Sequence, residues 1–314
     1  MTRILLTGKN GQVGWELHRT LLTLGEVIAV DHEKMDLANA DSIRNVIREA
    51  KPALIVNAAA YTAVDKAESE PELAMAINGM APGIMAEEAK RMGAAIIHYS
   101  TDYVFDGTKD GPYTEEDEPH PLNVYGRTKL AGERAIQAVG APYLIFRTSW
   151  VYSARGKNFL LTMLRLAKER DELKVVDDQI GAPTWSRMIA EATAQVLAQL
   201  YSPITRHFSP CTEVTGIYHL TAGGQTSWFG FAKKLLEYSS LIARHSTPRL
   251  LPIPTSAYPT LARRPRKSVL SNRKLVERFG FVQPSWQDCV ATCLEGMSPS
   301  RLHILIGEPA RCTC

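Results

Sequence analysis

The chain has little of what would indicate a nucleic-acid-binding or membrane protein. Among its 314 residues, 36 are basic and 33 are acidic, so the net charge is only +3. This balance gives no electrostatic reason to expect a nucleic acid or an anionic membrane surface as partner. No apolar run reaches the roughly 18 residues that a membrane-spanning helix needs. These absences favour a globular protein that binds neither nucleic acid nor membrane.

Cysteine is scarce, and its spacing offers no site. The five cysteines are odd in number, and none forms a Cys-x-x-Cys pair. No His/Cys cluster has the spacing of metal ligands. Met1-Thr2-Arg3 leads directly into an apolar segment, so we expect no signal peptide, reduced thiols and a cytoplasmic location. The cysteines are Cys211, Cys289, Cys293, Cys312 and Cys314.

Strand and helix patterns alternate through the first half of the chain. Continuous apolar runs such as 53–56 and 94–97 fit strands that are buried on both faces. This alternation predicts a Rossmann-type doubly wound α/β fold, with a parallel sheet between two layers of helices. The predicted strands are 3–7, 26–31, 53–58, 94–99 and 143–148, and the predicted helices are 11–24, 41–50, 71–92 and 123–139.

A glycine-rich loop follows the first predicted strand. Gly8, Gly11 and Gly14 lie between that strand and a helical segment. Glycines in this position let the backbone turn sharply and approach a pyrophosphate, which the helix N-terminus then binds. The second predicted strand ends at Asp31, where a carboxylate would meet the ribose 2′-hydroxyl of an adenine dinucleotide. The loop therefore predicts a dinucleotide site.

A tyrosine and a lysine lie four residues apart in the segment Tyr125-Gly126-Arg127-Thr128-Lys129. On a helix, these two positions share a face. A lysine ammonium beside the phenol would lower the Tyr125 pKa, and such a phenol can exchange a proton with a carbonyl or alcohol. Tyr-x-x-x-Lys pairs are common on helix surfaces, so the pair indicates catalysis only together with the glycine-rich loop.

The second half is less regular, and Pro183 and the segments 204–214 and 248–265 interrupt it. We expect residues 1–150 to form an NAD(P)-binding Rossmann domain, with later strands contributed by the second half. Residues 151–297 would form mainly a smaller C-terminal lobe that binds substrate, and 298–314 a poorly ordered tail. The helices predicted in the second half are 156–170, 185–200, 227–238 and 285–296.

These motifs together resemble the extended short-chain dehydrogenase/reductase family, and within it the dTDP-4-dehydrorhamnose reductases. The resemblance implies that NADH or NADPH reduces the C4 keto group of dTDP-4-dehydro-6-deoxy-L-mannose, a dTDP-linked 4-keto-6-deoxy sugar, to give dTDP-L-rhamnose. It covers residues 1–297. The stretches that carry it are 8–17, 56–68, 98–105, 122–133, 146–152, 178–184 and 254–259.

The resemblance also implies roles for individual residues. It places the catalytic group on Thr101, Tyr125 and Lys129. Thr101, Tyr125, Asp102, Trp150 and Arg264 would contact the substrate, with Arg264 on its diphosphate. The implied cofactor contacts are Gly8, Gly11, Gln12, Val13, Gly14, Asp31, Asp36, Leu37, Ala60, Tyr61, Thr62, Tyr99, Tyr125 and Lys129.

One departure from the family pattern concerns metal. Some family members form dimers that hold magnesium between glutamates of both subunits. Glu16 is present here, but Arg187 and Gln287 stand where further carboxylates are needed. One carboxylate beside a cation does not suit a hard metal ion. We therefore expect no metal requirement and leave both a monomer and a homodimer open.

Two other functions remain open from the sequence. A nucleotide-sugar epimerase or dehydratase of the same family would use the same tyrosine and lysine but keep NAD bound through its cycle. A regulatory subunit of methionine adenosyltransferase would bind a dinucleotide without turnover. For the reductase, Asp31 favours NADH slightly over NADPH, because a carboxylate repels a 2′-phosphate.

Overall fold

The computed structural model describes residues 2–202, 207–208, 214–243, 247–297 and Leu305. The predicted tail at 298–314 lies outside the described residues, apart from Leu305. In chain order the strands are β1 (Arg3–Thr7), β2 (Glu26–Val30), β3 (Leu54–Asn57), β4 (Ala95–Thr101), β5 (Tyr143–Thr148), β6 (Val151–Tyr152), β7 (Glu172–Val176), β8 (Ile180–Gly181), β9 (Thr184–Trp185), β10 (Tyr201–Ser202), β11 (His207–Phe208), β12 (Gly216–His219), β13 (Thr226–Ser227) and β14 (Arg249–Ile253).

Six of these strands form one parallel sheet in the order β12-β5-β4-β3-β1-β2. The sheet confirms the predicted fold class. Strand β12 comes from the second half of the chain and extends the sheet beyond β5. Because the chain order reverses between β1 and β3, a crevice opens beyond their carboxyl ends, which is where ligands bind in such sheets.

Helices cover both faces of the sheet. Their bounds agree with the sequence prediction within a few residues, except that α3 and α10 were not predicted. The helices are α1 (Gln12–Thr20), α2 (Ala40–Ala50), α3 (Val64–Ala67), α4 (Pro71–Met75), α5 (Ala81–Met92), α6 (Val124–Val139), α7 (Phe159–Glu169), α8 (Ser186–Leu200), α9 (Trp228–Ala243), α10 (Arg273–Phe279) and α11 (Trp286–Glu295).

The three largest apolar cores follow from this arrangement. On one face of the sheet, Leu6 and Val56 pack with residues of α1 and α8. On the other, Leu5, Ile55 and Ile96 pack with residues of α2, α5 and α6. A third core joins α7, α9 and α11 in the second half and includes the buried Cys289 and Cys293. The division into two domains stays a prediction.

The helix α6, which carries Tyr125 and Lys129, has well-defined ends. The Asn123 side chain accepts the Gly126 N–H at 2.8 Å, so it caps the first turn, and Gly140 ends the helix in the left-handed conformation with φ +70°. Both devices are typical of stable helices. The cap fixes where the first turn of α6 starts, and thus where Tyr125 lies.

The helix predicted at 71–92 is interrupted. A π-helical turn, Ala76–Met80, separates α4 from α5, and Pro82 lies in the first turn of α5. A proline removes one backbone donor, and π turns often accommodate such defects near functional sites. The side chain of Asn78, within this turn, bonds both the N–H and the C=O of Tyr61 and the Thr128 hydroxyl. The π-helical turn therefore connects the loop after β3, which contains Tyr61, to α6.

The described part of the chain has no helix that is both long and apolar enough to span a bilayer.

Candidate active site

The glycine-rich loop leaves no room for side chains. Gly8 has φ +71°, and a Cβ there would lie 2.8 Å from the Ala59 nitrogen. At Gly14 a Cβ would lie 2.0 Å from the Gly8 carbonyl oxygen. The backbone of the loop therefore packs directly on the start of α1, and the unpaired N–H groups of that helix face the crevice.

A cleft of about 740 Å³, hereafter the dinucleotide cleft, lies beyond the carboxyl ends of β1 and β3. Its volume is within the range of small-molecule sites. The glycine cradle and the free helix N-terminus fit the pyrophosphate of a dinucleotide. Of the residues expected from sequence to contact a cofactor, those on the cleft wall are Gly8, Gly11, Gln12, Val13, Asp31, Leu37, Ala60, Thr62, Tyr99, Tyr125 and Lys129.

Three of the expected cofactor contacts lie elsewhere. Gly14 packs behind the loop, as described above. Asp36 accepts the N–H of Ala38, and the Tyr61 hydroxyl donates to Glu70 at 2.6 Å. None of the three lines the cleft. Their roles as cofactor contacts stay predictions.

Asp31 lies at one end of the dinucleotide cleft beside two donors. Lys9 Nζ is 3.0 Å from Asp31 Oδ2, and the Asn10 amide donates to the same oxygen at 3.2 Å. The hydrogen bond from Lys9 holds the pKa of Asp31 below its usual value. The carboxylate is therefore ionised, and part of its charge is offset by a neighbouring cation.

Thr101, Tyr125 and Lys129 meet at the other end of the dinucleotide cleft. Strand β4 continues two residues beyond its predicted end, so that Thr101 is its last residue. The Thr101 side chain lies beside the Tyr125 phenol. Lys129, one turn further along α6, is buried below them. The structure thus brings the three predicted catalytic residues together.

The prediction of a lowered Tyr125 pKa is wrong for this structure. Burial raises the pKa of Tyr125 to about 12, with only partial relief from Thr101. Lys129 Nζ instead donates to the Tyr99 carbonyl at 2.6 Å and lies 3.0 Å from His98 Nε2. Burial lowers the pKa of Lys129 to about 8. The two side chains leave the same helix face, but the lysine extends towards β4 rather than towards the phenol.

Asp102 lies directly behind Thr101 and is 2% exposed. Its Oδ1 accepts the Thr101 hydroxyl at 3.1 Å, while its Oδ2 has no partner among the described residues. Burial raises the pKa of Asp102 to about 7, opposed by the Ser268 and Thr101 hydroxyls. A large share of this carboxyl group is therefore protonated at neutral pH.

A second cavity, of about 1060 Å³, lies in the second half of the chain and is lined by Arg264, Asp65 and Trp228. Trp150, in the left-handed conformation with φ +45°, stacks on Trp228 with a centroid distance of 3.6 Å. Trp150 lies between Thr148 and Val151, which line the dinucleotide cleft. The stacked indoles therefore lie where the two cavities approach each other.

Arg264 is already paired. Its two terminal nitrogens donate to the two carboxylate oxygens of Asp65 at 3.1 and 2.7 Å. The Tyr103 side chain is a neighbour of Arg264, and its ring contacts Tyr125 edge to face at a centroid distance of 5.9 Å. The expected diphosphate contact of Arg264 stays a prediction, and Tyr103 lies between Arg264 and Tyr125.

Sequence reasoning missed a loop that closes one end of the dinucleotide cleft. Gly156 and Lys157, from the second half, line the cleft beside the glycine loop. Asn158 donates to Gln12 Oε1 at 2.9 Å and also caps α7. The sequence shows only that Asn158 precedes an apolar helix as a cap residue would. That pattern does not indicate a contact with Gln12.

Arg187 and Glu16, which were compared with the metal-binding positions of the family, each lie next to an oppositely charged side chain. Arg187 pairs with Glu191 at 2.8 Å, and Glu16 lies 3.7 Å from Arg19. Within the described ranges, no group of three or more His, Cys, Asp or Glu side chains could hold a metal ion. That no metal is required stays a prediction.

The chain matches the family model of the RmlD substrate binding domain over residues 1–298. It is 50% identical over 298 residues to the dTDP-4-dehydrorhamnose reductase of Burkholderia thailandensis, which covers 94% of this chain and 99% of that protein. The dTDP-4-dehydrorhamnose reductase of Escherichia coli is 49% identical over 290 residues, 90% of this chain and 94% of the relative. A solved structure of this reductase from Bacillus anthracis, in complex with NADP, has a TM-score of 0.85 at 34% identity and covers 95% of this chain and 100% of that one.

The raised pKa of Asp102 predicts that Asp102→Asn stabilises the protein more at pH 8 than at pH 4. In the unfolded chain Asp releases its proton near pH 4, whereas the folded protein retains it up to about pH 7. Wild-type stability therefore falls as pH rises between these values and stays reduced above them. Thermal melting of both proteins across this range measures the difference.

Asp106→Asn is the matched control. Burial acts to raise the pKa of Asp106, but hydrogen bonds from Thr108 and Tyr113 leave it below its usual value. Its replacement should therefore destabilise the protein above about pH 4, which is the opposite sign. A pH-independent effect of Asp102→Asn would show that this carboxyl group is not held in its neutral form.

Proposed function

The chain belongs to the RmlD substrate-binding-domain family, that of the dTDP-4-dehydrorhamnose reductases, and we propose that it reduces the C4 keto group of dTDP-4-dehydro-6-deoxy-L-mannose to give dTDP-L-rhamnose. The observation that carries this proposal is that Thr101 and Tyr125 lie side by side, with the buried Lys129 one turn along α6, next to a cleft whose glycine cradle fits a dinucleotide.

A bound nicotinamide dinucleotide supplies the hydride that this reduction needs. The protein stabilises the negative charge that develops on the substrate oxygen. Tyr125, with its pKa raised to about 12, is protonated at neutral pH and can donate its proton to the more basic alkoxide. Thr101 can hydrogen-bond the same oxygen. A positioned acid of this kind contributes about 10²–10⁴ in rate.

Lys129 is placed to hold the dinucleotide. Its amine uses Tyr99 and His98 as partners on the protein side, and the residue lines the dinucleotide cleft. An ammonium group has three N–H donors, so one remains for a ribose hydroxyl. The role of Lys129 is therefore to orient the ribose rather than to contact the reacting oxygen.

The second cavity fits the nucleotide part of the substrate. Arg264 lies on its wall, and guanidinium groups bind diphosphates through paired N–H bonds. In this structure the Asp65 carboxylate accepts the paired N–H bonds of Arg264, so a diphosphate would bind there by displacing this carboxylate. The Trp150–Trp228 stack would form an aromatic wall beside the sugar. Binding energy from the nucleotide would then position the reacting carbon.

The two alternative functions are less well supported. The curated relatives described above carry the name of the reductase, not that of an epimerase, a dehydratase or a regulatory subunit. A purely regulatory subunit also has no need for the assembled Tyr125, Thr101 and Lys129. An epimerase or dehydratase would keep NAD bound on purification, whereas a reductase exchanges it.

The direct test is to mix the protein with dTDP-4-dehydro-6-deoxy-L-mannose and NADH or NADPH and to follow the nicotinamide absorbance. We expect oxidation of the cofactor with the dTDP-linked sugar and very slow turnover of the free keto sugar, since that sugar lacks the diphosphate. Equal activity on both sugars, or NAD that co-purifies with the protein, would contradict the assignment.

Tyr125→Phe should reduce kcat at least about 100-fold while the Kd for NAD(P)H changes little, since the hydroxyl acts on the substrate oxygen and not on the dinucleotide. Steady-state kinetics and nicotinamide fluorescence titration measure the two quantities. Tyr143→Phe is the control, because this tyrosine lies at the start of β5, remote from the cleft. A Tyr125→Phe enzyme that keeps more than about a tenth of wild-type kcat would exclude the phenol as the general acid.

For the cofactor, we propose a modest preference for NADH over NADPH. Asp31 repels a 2′-phosphate, but Lys9 offsets part of its charge. Lys9→Met should therefore lower kcat/KM for NADPH more than for NADH. A preference of tenfold or more for NADPH in the wild-type enzyme would rule out a 2′-hydroxyl contact for Asp31.

A further inference from the structure

Three polar residues form a row across the sheet directly below the dinucleotide cleft. Thr7 on β1 is in register with Asn57 on β3, and Asn57 is in register with His98 on β4. In each strand the residue two positions earlier, Leu5, Ile55 or Ile96, belongs to one apolar core. Because side chains alternate along a strand, all three polar residues face that same core and α6. Each is at most 1% exposed.

A continuous chain of hydrogen bonds links this row to Lys129. The Thr7 hydroxyl donates to Asn57 Oδ1 at 2.7 Å, and the Ala59 N–H points to the same oxygen at 3.3 Å. Asn57 Nδ2 lies 3.0 Å from His98 Nδ1, and His98 Nε2 lies 3.0 Å from Lys129 Nζ. Buried polar groups that are satisfied in this way specify a single arrangement of side chains.

The donors in this chain determine the state of the imidazole. Where Asn57 Nδ2 donates to His98 Nδ1, the ring proton lies on Nε2 and faces Lys129 as a neutral amine. The pKa of Lys129 is about 8, so the ammonium predominates at neutral pH and donates to the Tyr99 carbonyl and to His98 Nε2. The ring proton then lies on Nδ1, and the Asn57 amide turns so that its oxygen accepts that proton. The ring stays neutral in both arrangements.

We infer that His98 is a positioning residue for Lys129: its imidazole, held by Asn57 and Thr7, fixes the lysine amine at the floor of the dinucleotide cleft. This inference rests on the proposed function, in which Lys129 orients the nicotinamide ribose. Without the imidazole, the amine would keep only the Tyr99 carbonyl as a partner among the described residues, and its side chain could leave the ribose position.

The surrounding charges agree with a neutral ring. Burial and the neighbouring Lys129 keep the pKa of His98 well below its usual value. Glu133, one turn further along α6, is the nearest carboxylate on that helix, and a buried Arg147 on β5 neutralises it through two hydrogen bonds. From β4 itself the Tyr99 phenol bonds Thr193 on the opposite face of the sheet. No anion among these groups is free to charge the imidazole.

Two amide variants of His98 distinguish an effect on the position of Lys129 from an effect on folding, because they are nearly equal in polarity and differ in length. In His98→Gln the amide reaches as far as Nε2 and can still bond Lys129, whereas in His98→Asn it reaches only as far as Nδ1 and can still bond Asn57. We expect His98→Asn to weaken NAD(P)H binding at least about tenfold, as the loss of a hydrogen bond to a charged group implies, and His98→Gln to stay within about threefold of wild type. Binding is measured by nicotinamide fluorescence without substrate. Equal losses in both variants, or losses that follow their melting temperatures, would overturn the proposal.

A double-mutant cycle with Lys129→Met tests whether His98 acts through the lysine. In the Lys129→Met background, His98→Asn should have no further effect on the Kd for NAD(P)H, because there is no amine left to position. Additive effects would contradict the proposal. These binding measurements involve no sugar, so they keep their meaning even if the protein fails to reduce the dTDP-linked substrate.

The wild-type protein provides a test that needs no variant to fold. In ¹⁵N-histidine-labelled protein without cofactor, the nitrogen signals of His98 should remain those of a neutral imidazole between about pH 5 and 8, the range in which an unperturbed imidazole changes its charge. A His98 that takes up a proton with a pKa near 6.5 would sink the proposal, since an imidazolium cannot accept a bond from Asn57 or from the Lys129 ammonium.

Discussion

The burial of the Lys129 amine is the constraint on which the rest of the site depends. A cationic group in an apolar interior is costly unless polar partners surround it. The partners here, the Tyr99 carbonyl and the His98 ring, both come from β4. Those partners are in place only because β1, β3 and β4 pair in one register. Fold and catalytic geometry are therefore set by the same pairing.

The second half of the chain completes what the sheet begins. Its loop at 153–158 contacts the glycine loop through Asn158 and Gln12, and Arg155 lies 3.5 Å from the ring centroid of Trp15. Trp150 is held between Trp228 and Gly181, where a Cβ would lie 2.5 Å from the indole. A dinucleotide and a nucleotide sugar bound in the two cavities would thus share walls that neither half forms alone.

Much of the first half could be predicted because its signals are local. Continuous apolar runs identify the strands, and glycine spacing identifies the loop. The row of Thr7, Asn57 and His98 could not be predicted, because cross-strand register is not encoded in any one segment. The prediction of a lowered Tyr125 pKa was wrong because helical spacing places two Cβ atoms on one face but does not fix where the phenol and the amine point. In the second half, two-residue strands such as β8 and β9 are too short for periodicity to reveal.

In the proposed reaction, a hydride passes to the C4 carbon of a dTDP-linked keto sugar while Tyr125 protonates the oxygen. The most direct measurement uses NADH deuterated at the transferring position of the nicotinamide, with the product analysed by NMR. We expect one deuterium at C4 of dTDP-L-rhamnose and none elsewhere in the sugar. Unlabelled product, label at another carbon, or the C4 epimer of the rhamnosyl product would contradict it.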